Sequence, residues 1–353
     1  MLRLLALSLL VLGVSACALR GSEAPPRVYW PAPPAEPRLV HEITLYSVAD
    51  LESAGALERL RRLGSGERVR GGGMRKPYDV AARQGLVVVS DSVASRVYVF
   101  DMLRRRGFAI GWRGRGRLLR PLGVAVDERR NIYVADAGLG RIMVYSMLGH
   151  FTREIGRPAD FDRLSDVAVA ADGSRVYALD RGGVTSKRHR VLIFSTNGEK
   201  LGQIGRRGIA PGQFNHPLQL ALGPDGRLYV LDAGNFRVQV FSPAGEFIRA
   251  WGRPGRLLGN FARPRGIAVD GESRVYVTDG AYQNFQIFDA SGRLLLPVGG
   301  PAAEDGPGHY VLPAGIATDD TGRIYVVDQF RAKLEVLRLL SEEERRRLAG
   351  TSR

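Results

Sequence analysis

Cysteine is nearly absent: Cys17 is the only one in 353 residues. A single chain therefore forms no disulfide, and neither a CxxCH haem attachment nor a multi-cysteine zinc site is available. Histidine is scarce too. His41, His150, His189, His216 and His309 stand at unrelated positions and suggest no three-ligand zinc set. The chain has no phosphate-cradling GxxxxGK[ST] loop and no GxSxG nucleophile elbow. Lysine occurs only at Lys76, Lys187, Lys200 and Lys333 among 51 basic residues, so the net charge of +15 is carried almost wholly by arginine. That bias is a matter of composition, and the placement of the arginines is more informative.

What is present is a repeat. The pattern hydrophobic-Tyr-hydrophobic-x-Asp ends at Asp136, Asp180, Asp232, Asp279 and Asp328, with Tyr133, Tyr177, Tyr229, Tyr276 and Tyr325 three residues before. A sixth copy ends at Asp91 and has Val88 in place of the tyrosine. The aspartates lie 45, 44, 52, 47 and 49 residues apart. A period of 40 to 50 residues made only of strands and turns is the mark of propeller blades. Each unit parses into four strands: an inner strand such as 121–127, the Tyr-x-x-Asp strand, a third such as 237–241, and an outer strand ending near Gly-Trp or Ile-Gly. Asp-Gly pairs such as Asp225-Gly226 suit the tight hairpins between them.

The sixth unit lacks an outer strand. After Leu337 the chain turns to Ser341-x-x-Glu344, a capping box that predicts a helical tail over 341–353. A bare strand edge invites aggregation, and the β-branched run at 38–47 supplies a replacement. The expected fold is all-β, a six-bladed propeller of four-stranded blades over 38–340, its ring closed by an N-terminal strand (38–47) against 333–337. A short helix is expected at 51–63.

"GRPGRLLGNFARPRGIAVD" (252–270) and "YVLDAGNFRVQVF" (229–241) make the chain resemble the NHL-repeat family of six-bladed propellers, over residues 75–337. That family includes bacterial lipoproteins, and propellers host binding proteins and enzymes alike. Enzymes of related form include calcium-dependent lactonases and a zinc-dependent amidating lyase, the latter a poor match to these histidines.

Residues 1–16 read as a signal peptide: one Arg, an apolar core too short to span a bilayer comfortably, and Val14-Ser15-Ala16 before Cys17. Diacylglyceryl and N-acyl groups on Cys17 would anchor the exported chain stably, and Ala18 resembles the pattern that sends lipoproteins to an outer membrane. Residues 17–37 read as a Pro-rich tether.

Arginines gather where outer strands lead into the next inner strand: Arg113, Arg115, Arg117 and Arg120; Arg206 and Arg207; Arg253, Arg256, Arg263 and Arg265. These connections project from one propeller face, which should be basic and attract anions. His216 precedes an inner strand and is expected on the same face. Some NHL propellers bind RNA on such a face, but an exported, anchored chain points to an envelope protein, glycan or lipid and to no nucleic acid. The protein is expected to act as a monomer. The repeated aspartates recur in every blade, which marks them as structural: each can accept turn N–H bonds and pair with the base five residues on. Two residues after the blade-opening position stand Gly123, Gly266 and Gly315 in three blades, but Asp79, Asp166 and Gln219 in the others. Pointing at the axis, these three could bind a hard cation such as calcium or hydrogen-bond neighbouring strands. The insertion 181–190 carries five bases and is a candidate partner contact. The expected function is thus a lipid-anchored binding or scaffold module with no catalytic residue, the alternative being a metal-dependent hydrolase, lactonase or lyase using the axial channel.

Overall fold

The computed structural model describes residues 27–32, 34–51 and 73–350. The six repeats form six antiparallel sheets, covering 77–110, 121–155, 164–204, 219–251, 264–298 and 313–339. The first five run from an inner to an outer strand in chain order, the sixth takes its outer strands from the N-terminal segment, and one short α-helix, Glu342–Gly350, follows the last sheet. Alternating Val, Ile, Tyr and Phe cover both faces of every sheet, so adjacent blades bury apolar surface against each other. Six apolar clusters result, one at each blade-to-blade junction. Tyr98, Phe100, Tyr325 and Val327 mark the junction of the sixth blade with the first.

The ring is closed by the chain's two ends. Leu39–Leu45 pairs antiparallel with Lys333–Leu339, Leu45 facing Leu334 and Leu39 facing Leu339. Glu42 adds ion pairs to Arg323 at 2.6 Å and Arg338 at 2.9 Å. The Pro-rich stretch is less of a tether than its composition suggests. Tyr29–Trp30 pairs with Val40 and Leu39 as a fifth strand, because Trp30 has an apolar surface to cover beside Leu39, Tyr310 and Leu337. At the other end the capping box forms: Ser341 Oγ accepts from Glu344 N at 3.2 Å and the Glu344 carboxylate accepts from Ser341 N at 2.9 Å. Residues 1–26, with the expected signal segment and Cys17, and the helix expected beyond Leu51 lie outside the described residues.

The repeated aspartates are fully buried, and each ties two loops together. Asp136 accepts N–H bonds from Leu119 and Arg120, which lead into its blade, and from Gly138 and Leu139 in its own hairpin, at 2.7–3.0 Å. Asp328 does the same with Val311, Leu312, Phe330 and Arg331, and Asp279 with Ala262, Arg263, Ala281 and Tyr282. The base five residues later is mostly left out, since the carboxylate oxygens are already filled by backbone donors. Arg141 pairs with Glu154 instead and Lys333 with Asp305 and Glu335. Only where Asp232 takes a single backbone donor, Asn215 N at 2.6 Å, does the expected pair form, with Arg237 at 2.9 Å. The repeat tyrosines have their own role. Tyr276 donates at 2.8 Å to Asp270, and Tyr325 at 2.8 Å to Asp319, each at the far end of the neighbouring inner strand.

The closing strand buries Leu39, Val40 and Leu45, each contributing about 1.5–3 kcal/mol. Deleting residues through Ser47 should therefore lower the thermal midpoint by roughly 10 °C or more and promote aggregation through the bared edge. Calorimetry showing a shortened chain that melts like the full one would refute ring closure by this strand.

Candidate functional site at the propeller axis

Inner strands crowd at the axis, and most of them are bulged there. In blades one and three the pairing register shifts between Pro77 and Asp79 and between Leu164 and Asp166. The glycine blades shift at the same place, while Gln219–Leu222 pairs in regular register, so it is the shared position in the inner strand that brings Asp79, Asp166 and Gln219 together. Asp79 accepts a bond from Val124 N in the next blade at 2.9 Å and one from the Gln219 amide across the axis. Gln219 Oε1 in turn accepts from Ile267 N at 2.9 Å, and Asp166 accepts from Leu220 N at 2.6 Å. Each of these side chains thus reaches the backbone of the following blade. The glycines of the other blades make the room: a Cβ on Gly123 would stand 1.9 Å from Asp166 Oδ1, and one on Gly315 2.4 Å from Asp79 Oδ1.

The three form a plug across the ring. Burial pushes both carboxyl groups up, Asp79 to about 7 and Asp166 well above its ordinary range, the nearby Asp79 charge adding to the latter. The pair thus keeps a proton close to neutrality. Asp166 Oδ1 alone has no hydrogen-bond partner. Calcium takes six to eight oxygens, and this set as arranged has one to spare. Among the described residues no three His, Cys, Asp or Glu side chains cluster as metal ligands. Below the plug, a cavity of about 170 Å³ lined by small inner-strand residues of all six blades opens toward the hairpin face.

On the other side of the plug lies the connection face. The residue just before the blade-opening position, Leu164 in the third blade and Pro in the others, occupies one position of the ring, and it reads Lys76, Arg120, Arg163, His216, Arg263 and Leu312 around the six blades. Five are held there by their own N–H bonds to the buried aspartates, for example Arg163 to Asp180 at 2.9 Å and Arg263 to Asp279 at 3.0 Å. Their side chains, Leu312 apart, are basic. His216 is the exception in backbone as in chemistry: its N–H donates to His189 Nδ1 at 3.1 Å, and its φ is 45°. His189 is fully buried, its Nε2 3.1 Å from Gly183 O, so the ring braces the 181–190 insertion against the His216 backbone. Burial, then His189 and the Arg181, Arg207 and Arg163 charges, hold the His216 imidazole below its ordinary range.

Tyr78 and Arg265 complete the mouth, each following a blade-opening proline. Arg265 donates to Gln329 at 3.0 Å, but its Nε and Gln329 Nε2 are buried with no partner. Burial lowers the Arg265 pKa, and Arg263 beside it lowers it further. The Tyr78 phenol feels both Arg181 and Arg265. Of the sequence candidates, the structure brings Asp79, Asp166 and Gln219 into one plug. It sets Arg120, Arg263, Arg265 and His216 on one face above it. Lys76, Tyr78, Arg163 and Arg181 were missed as a group. The signal for Lys76 and Arg163 was available, as they align with Arg120 and Arg263 one residue before the inner strand.

The raised carboxyls have a pH consequence. A proton held more tightly in the folded chain stabilises it fully below the unfolded value near 4, and that contribution is lost as pH rises through about 7. Asp166→Asn keeps an acceptor for Leu220 and puts a donor toward Asp79. Its thermal midpoint should exceed that of the parent by roughly 2 °C or more at alkaline pH, with a flatter profile between acid and neutral. A variant melting lower than the parent at alkaline pH would show that the pair holds no shared proton.

A family model for the NHL repeat matches residues 214–241, the fourth blade's incoming connection and first three strands. Among solved structures, the chain is similar to a gluconolactonase from Xanthomonas campestris, with 18% identity over 90% of this chain and 99% of that one and a TM-score of 0.59. Virginiamycin B lyase from Staphylococcus aureus matches at 11% identity over 75% and 96%, with a TM-score of 0.54. A chain of a nidogen/laminin complex matches at 20% over 63% and 80%, with a TM-score of 0.50. At such identities the likeness is one of fold, shared by enzymes and by a protein of a binding complex. The chain is a six-bladed β-propeller with an NHL repeat in its fourth blade.

Proposed function

We propose that the protein is a binding module whose connection face receives an anionic ligand over the axis. The observation that carries this reading is the uncompensated charge there. Arg120, Arg163, Arg181, Arg263 and Arg265 surround the mouth, while the ion pairs on this face engage other bases: Arg188, Arg190, Arg237 and Arg331. Arg265 is half-buried with its Nε unpaired, and a buried donor left unpaired costs about 1–3 kcal/mol until something accepts from it. An incoming carboxylate or phosphate would supply that acceptor.

A second reading, a hydrolase or lyase working in the axial channel, draws on the near-neutral Asp79–Asp166 pair at the inner end of the cavity and on the fold shared with a gluconolactonase and a lyase. Calcium belongs to that reading. The plug argues against it, since Asp79 and Gln219 spend their acceptors on neighbouring backbone and on each other.

One pair of titrations separates the two. Inositol hexakisphosphate, a compact polyanion, should bind the protein and lose affinity at least about tenfold in Arg263→Ala/Arg265→Ala, with affinity falling as salt rises. Asp79→Asn should leave that affinity unchanged. Stoichiometric calcium, or lactone hydrolysis abolished by Asp79→Asn, would establish the channel reading instead.

We further propose that the chain is exported and held to an outer membrane by lipid on Cys17. Cys17→Ser should then move the protein from the membrane to the soluble fraction, and unchanged fractionation would defeat the idea.

A further inference from the structure

The face that gathers arginine also gathers exposed apolar side chains. The connections 111–120, 205–217 and 252–263 contain nine arginines and no Asp or Glu. The same loops, with the strand-two to strand-three turns beside them, project Trp112, Leu119, Val184, Ile209, Leu257 and Phe330. Ile209 is 79% exposed, Leu257 75% and Phe330 73%, so these are tips standing off the surface rather than rims of a core. Trp112 and Leu119 come from one connection and the other four from separate loops, with arginines among them in the chain. Trp112 carries the Arg113 guanidinium over its ring at 4.1 Å. The opposite hairpins, by contrast, mix acids with bases: Asp172, Asp270, Asp319 and Asp320 alongside Arg83 and Arg175.

Basic side chains interleaved with Trp, Leu, Ile and Phe tips are what an anionic bilayer surface takes up. The cations meet headgroup phosphates and the tips enter the acyl boundary. The direction of the chain agrees. Lys333–Leu339 starts at the connection face, Leu39–Leu45 runs back toward that face, and Tyr29–Trp30 runs away from it again. Followed toward its N-terminus, the chain therefore heads to the connection face: Val28 O bonds to His41 N, and Arg27 lies beside Glu42 and Thr44. Cys17 and Arg27 are ten positions apart, a span of at most about 35 Å.

We propose that the propeller docks on an anionic lipid surface by its connection face, arginines on the headgroups and the Ile209, Leu257 and Phe330 tips in the interface. This rests on the anion-binding reading and specifies its ligand as the phosphate layer of a membrane.

The single cysteine makes the test direct. In the full chain carrying Cys17→Ser, Phe330→Cys is labelled with a polarity-sensitive fluorophore, and Leu148→Cys, on the opposite face, is labelled as the control. Vesicles of phosphatidylglycerol and phosphatidylcholine should raise emission at 330 roughly twofold or more with a blue shift and leave 148 unchanged. Phosphatidylcholine alone should produce little change, and Leu257→Asp should weaken the response at least about tenfold in lipid concentration. No change at 330, or equal changes at both sites, would overturn the proposal. If inositol hexakisphosphate still binds in that case, the anion-binding reading stands and the ligand is a soluble anion or acidic partner. If neither probe binds, both fall.

Discussion

A buried carboxylate with four backbone donors is the contact on which the rest of this propeller depends. Asp136, Asp279 and Asp328 each join the loop that enters a blade to the hairpin inside that blade. A fully buried charge is tolerable only when its hydrogen bonds are complete, so the two loops are fixed relative to each other wherever the aspartate stands. The residue just ahead of each inner strand is fixed with them, and in four blades that residue is a lysine or arginine. The fold's own repeat thus builds the ring of charge at the axis.

A second constraint acts at the centre, where six inner strands leave room for only three long side chains. Asp79, Asp166 and Gln219 fill it, and Gly123, Gly266 and Gly315 yield to them. Each long side chain reaches a backbone N–H of the next blade, so the plug couples blades one to two, three to four and four to five. Between blades five and six the tie comes from the second strand, Thr278 Oγ1 donating to Ala314 O at 2.6 Å. Polar residues at the axis act as ties between blades.

The blades, their number and the closing strand were legible because the Tyr-x-x-Asp strand repeats at a nearly fixed period and a missing outer strand must be supplied from elsewhere. The convergence of Asp79, Asp166 and Gln219 was legible as a position in the repeat. Their cross-axis bonding was not, because it depends on which side chain spans the axis to which partner, and a position in the repeat does not state that. The strand at Tyr29–Trp30 was hidden by the prolines around it. The pairing of Asp with the base five residues on was expected from charge alone. Backbone donors took the carboxylate first in most blades, and the prediction held only at Asp232 and Arg237. Arg163 and Lys76 share their register with Arg120 and Arg263, and Tyr78 shares its own with Arg265, whereas the position of Arg181 is held by Ala137, Ala233 and Gly280 in other blades and carries no signal in the repeat.

Charge is segregated as a consequence. The connection face carries arginine with few acids, while the hairpins at the other end of the channel balance Asp and Glu against Arg. Binding at the connection face is the central claim, and hydrogen exchange with and without inositol hexakisphosphate measures it most directly. Slowed exchange confined to 111–120, 156–163, 205–217 and 252–263 is the expected result. Slowing at the opposite hairpins 127–131, 170–175 and 319–323, or in the inner strands below the plug, would contradict it.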